Sequence, residues 1–84
     1  MTYTILVTPK ADKEIRKLDR QVAARIFGFI KTGIDRENPR SKGKMLVNSD
    51  MWRYRVGDHR ILVNIDDGQV TVLVVKVAHR REVY

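Results

Sequence analysis

Trp52-Arg53-Tyr54-Arg55-Val56-Gly57-Asp58-His59-Arg60-Ile61-Leu62-Val63-Asn64-Ile65 alternates, turns, and alternates again. Successive strand side chains point to opposite faces, so Trp52, Tyr54 and Val56 share one face while Arg53 and Arg55 share the other. Two residues at strand rise set that arginine pair about 7 Å apart. Gly57-Asp58 is a two-residue hairpin signal, after which Ile61, Val63 and Ile65 resume the apolar phase. Arg60 is in phase with Leu62 and Asn64, and joins Arg53 and Arg55 on the open face if Ile61 faces the core.

Toward the C-terminus, Asp66-Asp67-Gly68 marks a second hairpin, and Gln69 to Ala78 reads as a valine-rich strand buried on at least one face. It runs out into Val77-Ala78-His79-Arg80-Arg81-Glu82-Val83-Tyr84. Toward the N-terminus, residues 36–50 carry Asn38-Pro39, Ser41, Gly43 and Asn48-Ser49-Asp50, the composition of a connection, with Met45-Leu46-Val47 as an apolar anchor. Before it, Val22, Ala23, Ile26, Phe27, Ile30 and Ile34 form a helical stripe that begins near Asp19 or Arg20 and ends before Asn38-Pro39. Thr8-Pro9 opens a shorter helix with Ala11, Ile15 and Leu18 inside and Lys10, Lys13, Arg16 and Lys17 outside. Thr2 to Val7 is a strand. The order β, α, α, β, β, β predicts one α+β domain over residues 1–84: an N-terminal strand, a two-helix hairpin, then a three-stranded antiparallel meander, with both helices on one face of the sheet.

The 84 residues hold 17 Lys plus Arg against 10 Asp plus Glu, a net charge of +7. On so small a surface this points to a polyanionic partner. There is no cysteine, which removes disulfides and thiol chemistry and is consistent with a cytoplasmic location. Nothing in the sequence resembles a leader or a membrane span, so no membrane partner is expected.

Placement of the charges narrows the partner. Arg53, Arg55, Arg60, Arg80 and Arg81 cluster within three sequential strands and their tail, and only Asp58 interrupts the first three. Arginine offers a planar bidentate fork that stays charged at any working pH, which fits phosphate recognition. Tyr84 is suited to stack on a base or donate to a phosphate. Lys10, Lys13 and Lys17 on the first helix, with Lys44 in the connection, are further candidate RNA contacts. The only adjacent carboxylates, Asp66 and Asp67, lie in a turn, and two histidines without cysteine do not complete a zinc site, so neither a metal nor another cofactor is expected. Metal-independent RNA cleavage survives among familiar chemistries. It needs a base for the ribose 2′-hydroxyl, cations for the phosphorane and an acid for the leaving 5′-oxygen. His59 and His79 are the side chains that titrate in the right range.

The segment from Trp52 to Leu62, followed by an apolar strand ending in His79-Arg80-Arg81-Glu82-Val83-Tyr84, resembles the RelE/ParE toxin superfamily over nearly the whole chain. A RelE-like toxin implies a compact ribonuclease that enters the ribosomal A site and cuts mRNA to a 2′,3′-cyclic phosphate without metal. By that resemblance, Arg53 and Arg55 stand at the basic pair of the second strand, where well-known members carry lysines. Arg60 stands where an arginine neutralises transition-state charge, Arg80 or Arg81 where one assists the leaving group, and Tyr84 where a tyrosine stacks on the base. With arginine at 55 the lysine-like proton acceptor is missing, leaving that role open among His79, Glu82, the ribosome and the RNA. The same resemblance implies an antitoxin from an adjacent gene, a segment or helix of which wraps the domain and covers or distorts its basic face, and a toxin–antitoxin hetero-oligomer that binds operator DNA. It leaves two alternatives: a ParE-like toxin that inhibits DNA gyrase, and a binding module without catalysis.

Overall fold

The computed structural model describes residues 2–83, with side chains through Arg81. Strand β1 (Thr4–Val7) leads into α1 (Pro9–Arg16), α2 (Arg20–Gly28) and a π-helical turn (Phe29–Gly33). Four strands follow, β2 (Lys44–Met45), β3 (Trp52–Val56), β4 (His59–Asp66) and β5 (Thr71–His79), and then a short helix α3 (Arg80–Val83). The sheet order is β1-β5-β4-β3-β2.

The expected α+β arrangement is present, with the β3-β4-β5 meander antiparallel throughout. The first strand enters at the far edge and pairs parallel with β5, Thr4 against Thr71 through Val7 against Val74. The connection expected over residues 36–50 also supplies strand β2, which pairs with β3 through Lys44↔Arg53 and Met45↔Trp52. Gly43 permits that approach, because a Cβ there would stand 3.1 Å from the Arg53 carbonyl oxygen and 3.2 Å from the Tyr54 ring.

Both helices begin with side-chain caps. The Thr8 hydroxyl accepts from the Ala11 N–H at 3.1 Å, with Pro9 at the first helical position, and the Asp19 carboxylate accepts from the Gln21 N–H at 3.1 Å. The second helix does not run on as regular α-helix. It widens into the π turn, closed by Ile34 N–H to Phe29 C=O at 3.2 Å. The widening keeps both Ile30 and Ile34 buried at the end of the stripe.

Ala11, Ile15, Ile26 and Ile30 from the helices meet Tyr54, Ile61, Val63, Val72, Val74 and Val77 from the sheet in one core. A bulge makes the last three compatible: Val63 pairs with Val74 but Leu62 with Lys76, so Val75 is inserted and Val74 and Val77 fall on the same face. Where β1 ends, the Glu14 carboxylate takes over, accepting from the Val77 N–H at 2.9 Å. The Tyr54 hydroxyl donates to the Pro39 carbonyl at 2.6 Å, and burial pushes its pKa up to about 12. Among the described residues no helix is long and apolar enough to cross a membrane.

Candidate nucleic-acid interface

Helices cover one face of the sheet, and the opposite face is left for side chains in the other phase. Register fixes two rows on it. Lys44, Arg53, Leu62 and Lys76 lie across β2, β3, β4 and β5, and Arg55, Arg60 and Ala78 lie across β3, β4 and β5. The hairpin that aligns them turns at Gly57, whose φ of 57° lies in the left-handed region that a primed two-residue turn requires. Lys42, Gly43, Lys44, Arg53 and Arg55 line a cleft along this edge.

Arg60 has an unusual environment. It is 6% exposed, the most buried charged side chain described, yet its Nε has no hydrogen-bond partner and its Nη1 reaches the His59 carbonyl only at 3.4 Å. Its pKa is pushed down first by burial and then by the positive charges of Arg55, Arg53 and Arg80, with Asp58 opposing. The group stays protonated, because arginine starts so high. A buried, charged, under-bonded guanidinium ringed by like charge is costly alone and becomes favourable when an anion arrives.

Arg80 starts α3 with its N–H donating to the Asp58 carbonyl at 2.8 Å, which ties the tail to the β3–β4 turn. The structure thus brings Arg53, Arg55, Arg60 and Arg80 together. Arg81 is exposed. His79 does not join them. It pairs across the sheet with His59, which pairs with Val56, so both imidazoles lie on the helix side, with ring centroids 5.5 Å apart and edge to face. Lys10, Lys13 and Lys17 are exposed on the helix layer, away from the arginine rows, whereas Lys44 stands directly beside Arg53. Tyr84 and the Glu82 side chain lie outside the described residues.

Two members of the basic surface were not expected from the sequence, Lys42 and Lys76. Lys76 had a signal, as the only charge in the apolar run from Thr71 to Ala78. Lys42 had none, since its Nζ donates to the Gly33 carbonyl at 3.1 Å across a loop whose path the sequence does not fix. Among the described residues no group of three histidine or acidic side chains is arranged to hold a metal ion.

A family model described as the ParE toxin of type II toxin–antitoxin systems, parDE, matches residues 5–84. The chain is 33% identical to the toxin RelG of Mycobacterium tuberculosis, covering 100% of this chain and 98% of that one. It is 31% identical to the toxin RelE of the same organism, covering 98% and 86%. Among solved structures it resembles the toxin–antitoxin complex RelBE2 of M. tuberculosis, with a TM-score of 0.85, 29% identity, and coverage of 95% of this chain and 100% of that one.

Proposed function

Because this chain belongs to the RelE/ParE superfamily of type II toxin–antitoxin toxins, we propose that it is a ribosome-dependent endoribonuclease that cuts mRNA in the A site by attack of a ribose 2′-hydroxyl. The observation that carries this reading is Arg60, buried and short of hydrogen bonds amid Arg53, Arg55 and Arg80. A scissile phosphate seated there supplies the missing acceptors. As the 2′-oxygen bonds to phosphorus the phosphate becomes a dianionic phosphorane, and fixed guanidinium donors favour that state over the monoanionic ground state. The bond to the 5′-oxygen then breaks as that oxygen takes up a proton from water, giving a 2′,3′-cyclic phosphate and a 5′-hydroxyl. In this reading Arg60 neutralises the phosphorane, Arg53 and Arg55 hold the flanking backbone with Lys44 beside them, and Arg80 lies nearest the leaving oxygen. Tyr84 stacks on a base. His79 faces the other side of the sheet, so the proton acceptor comes from the RNA, the ribosome or the tail.

The similar RelBE2 toxin is in complex with its antitoxin, which supports an antitoxin partner here. An acidic or extended antitoxin segment across the arginine rows would silence them by occupying the anion site. The test is a translation extract in which mRNA ends are mapped with the intact protein and with Arg60→Ala. Intact mRNA at concentrations that arrest translation, or cutting indifferent to Arg60→Ala, overturns the proposal. A second reading, inhibition of DNA gyrase, is favoured by the description of the matching family as ParE. Inhibited supercoiling by purified gyrase without mRNA cutting would decide for it.

A further inference from the structure

The β3–β4 hairpin has two sides, and the arginine rows occupy only one. On the helix side, Val22 and Arg25 of α2 face Val56, Gly57, Asp58, His59 and His79 across a pocket. Arg25 lies against the turn itself, its Nη1 3.7 Å from where a Cβ on Gly57 would stand. No hydrogen bond or ion pair joins its guanidinium to another described residue, although the pocket has an acid on its rim. That acid is Asp58, whose charge also acts on Arg60 and whose backbone carbonyl accepts from Arg80.

The two imidazoles decide what kind of ligand suits the pocket. His79 Nδ1 accepts from the Arg81 N–H at 3.2 Å, so in the neutral ring the proton sits on Nε2, making that nitrogen a donor. A donor nitrogen rejects a metal cation and attracts an oxyanion. The same pocket is lined by the unpaired guanidinium of Arg25 and by the His59 ring, which meets His79 at 80°. Val22 and Val56 make the remaining walls apolar. Donors at one end and apolar walls at the other fit a phosphate that carries a sugar or base better than a free ion.

We propose that this pocket is a second phosphate seat, in which Arg25 and His79 Nε2 hold one RNA phosphate on the helix side of the Gly57-Asp58 turn. The inference rests on the RNA-cutting reading and extends it: the strand gripped by the arginine rows continues over the hairpin tip. The pocket positions RNA and takes no part in bond breaking.

The test uses the full chain and a short RNA oligomer with 2′-O-methyl groups, which cannot be cut by 2′-hydroxyl attack. Arg25→Ala should weaken binding about 3- to 10-fold and lower the slope of log K against log salt by about 0.7, the share of one phosphate contact on a single strand. In NMR spectra at fixed pH, the imidazole signals of His59 and His79 should shift with the oligomer and with millimolar inorganic phosphate. The phosphate response should persist in Arg53→Ala and vanish in Arg25→Glu. Binding with unchanged affinity and slope in Arg25→Ala, unmoved histidine signals, or a phosphate response lost in Arg53→Ala each overturns the second seat while leaving the nuclease reading intact. An oligomer that does not bind the intact chain at all, with mRNA also uncut in the extract, overturns both.

Discussion

Two arginines near opposite ends of β4 illustrate how one side chain serves two ends. At the Asp66 end, Arg40 forks onto Asp67 at 2.9 and 3.1 Å, stands 5.6 Å above the Trp52 ring, and shares the carboxylate with the Tyr3 hydroxyl, which donates at 2.7 Å. Its pKa is raised, chiefly by the hydrogen bond to Asp67. At the other end Arg60 is more deeply buried, has an Nε with no partner, and its pKa is lowered. Arg40 finds its acceptors within the protein and pins the 36–43 loop to the β4–β5 turn. Arg60 is left to find its acceptors outside. The direction of the shift follows from that difference, and so does the kind of work each arginine can do.

The largest effect expected of this contrast is at Arg60. Arg60→Ala should lower the rate of mRNA cutting about 100-fold or more, the usual result of removing one preorganised donor from an anionic transition state. Arg60→Met, which fills the same space without charge, should leave the melting temperature unchanged or raise it. A fall in both activity and stability would place Arg60 beside Arg40 as a structural residue and erase the distinction.

Tyr54 extends the comparison to a neutral donor satisfied within the fold. Its pKa of about 12 against 10.0 in a free side chain means that the folded state favours the protonated form. The resulting stability is fully present below pH 10 and declines as pH rises toward 12, by at most about 2 to 3 kcal/mol. Alkaline unfolding curves of Tyr54→Phe should lack this component while starting from a lower stability at pH 7, since the Pro39 carbonyl loses its partner.

Arg40→Met should cost about 1 kcal/mol, a modest figure because the pair is partly exposed, and should leave mRNA cutting intact. The Asp67 carboxyl is held below its ordinary pKa, first by the hydrogen bond from Arg40 and then by that from Tyr3. Its contribution is therefore present above the usual aspartate range and fades as pH falls through the lowered value. Acid unfolding of Arg40→Met should show less of that fading; identical acid limbs would mean that the pair does not tie the loop.

The smallest effect concerns the turn beside Asp67. Val70 adopts φ of 52°, a left-handed conformation that a β-branched residue adopts at a cost. Val70→Asn should raise stability by up to about 1 kcal/mol, measured by denaturant midpoint, without touching cleavage.

Much of the arginine face is legible in the sequence because period two leaves little freedom: once Tyr54 and Ile61 are inside, Arg53, Arg55 and Arg60 must be on the other side. The helices were legible for a similar reason, their apolar stripes at three and four residues. The degree to which Arg60 is buried was not legible, because it depends on neighbours from β3 and β5 that no local pattern aligns. His79 is a candidate proton acceptor by its nearness in sequence to Arg80, but one residue along a strand reverses the face, and His79 lies on the other side of the sheet. Strand β2 is two residues in an otherwise turn-rich stretch, too short for any periodicity. The bulge at Val75 hides within a run of valines, where every register looks equally apolar. Arg40 and Asp67 are 27 residues apart and carry no mutual signal.

The pairing of β1 with β5 has a consequence in time. Thr4 to Val7 are made well before the residues they hydrogen-bond to, 71 to 74, so the sheet cannot close while the stretch between them is being synthesised. At about 5 to 20 residues per second, the nascent protein spends several seconds with its first strand unpartnered and β5 not yet made. The Arg60 cluster likewise needs Ala78 and Arg80 from the last stretch to be complete. If the chain cuts mRNA on ribosomes as proposed, its site is incomplete on the ribosome that is making it.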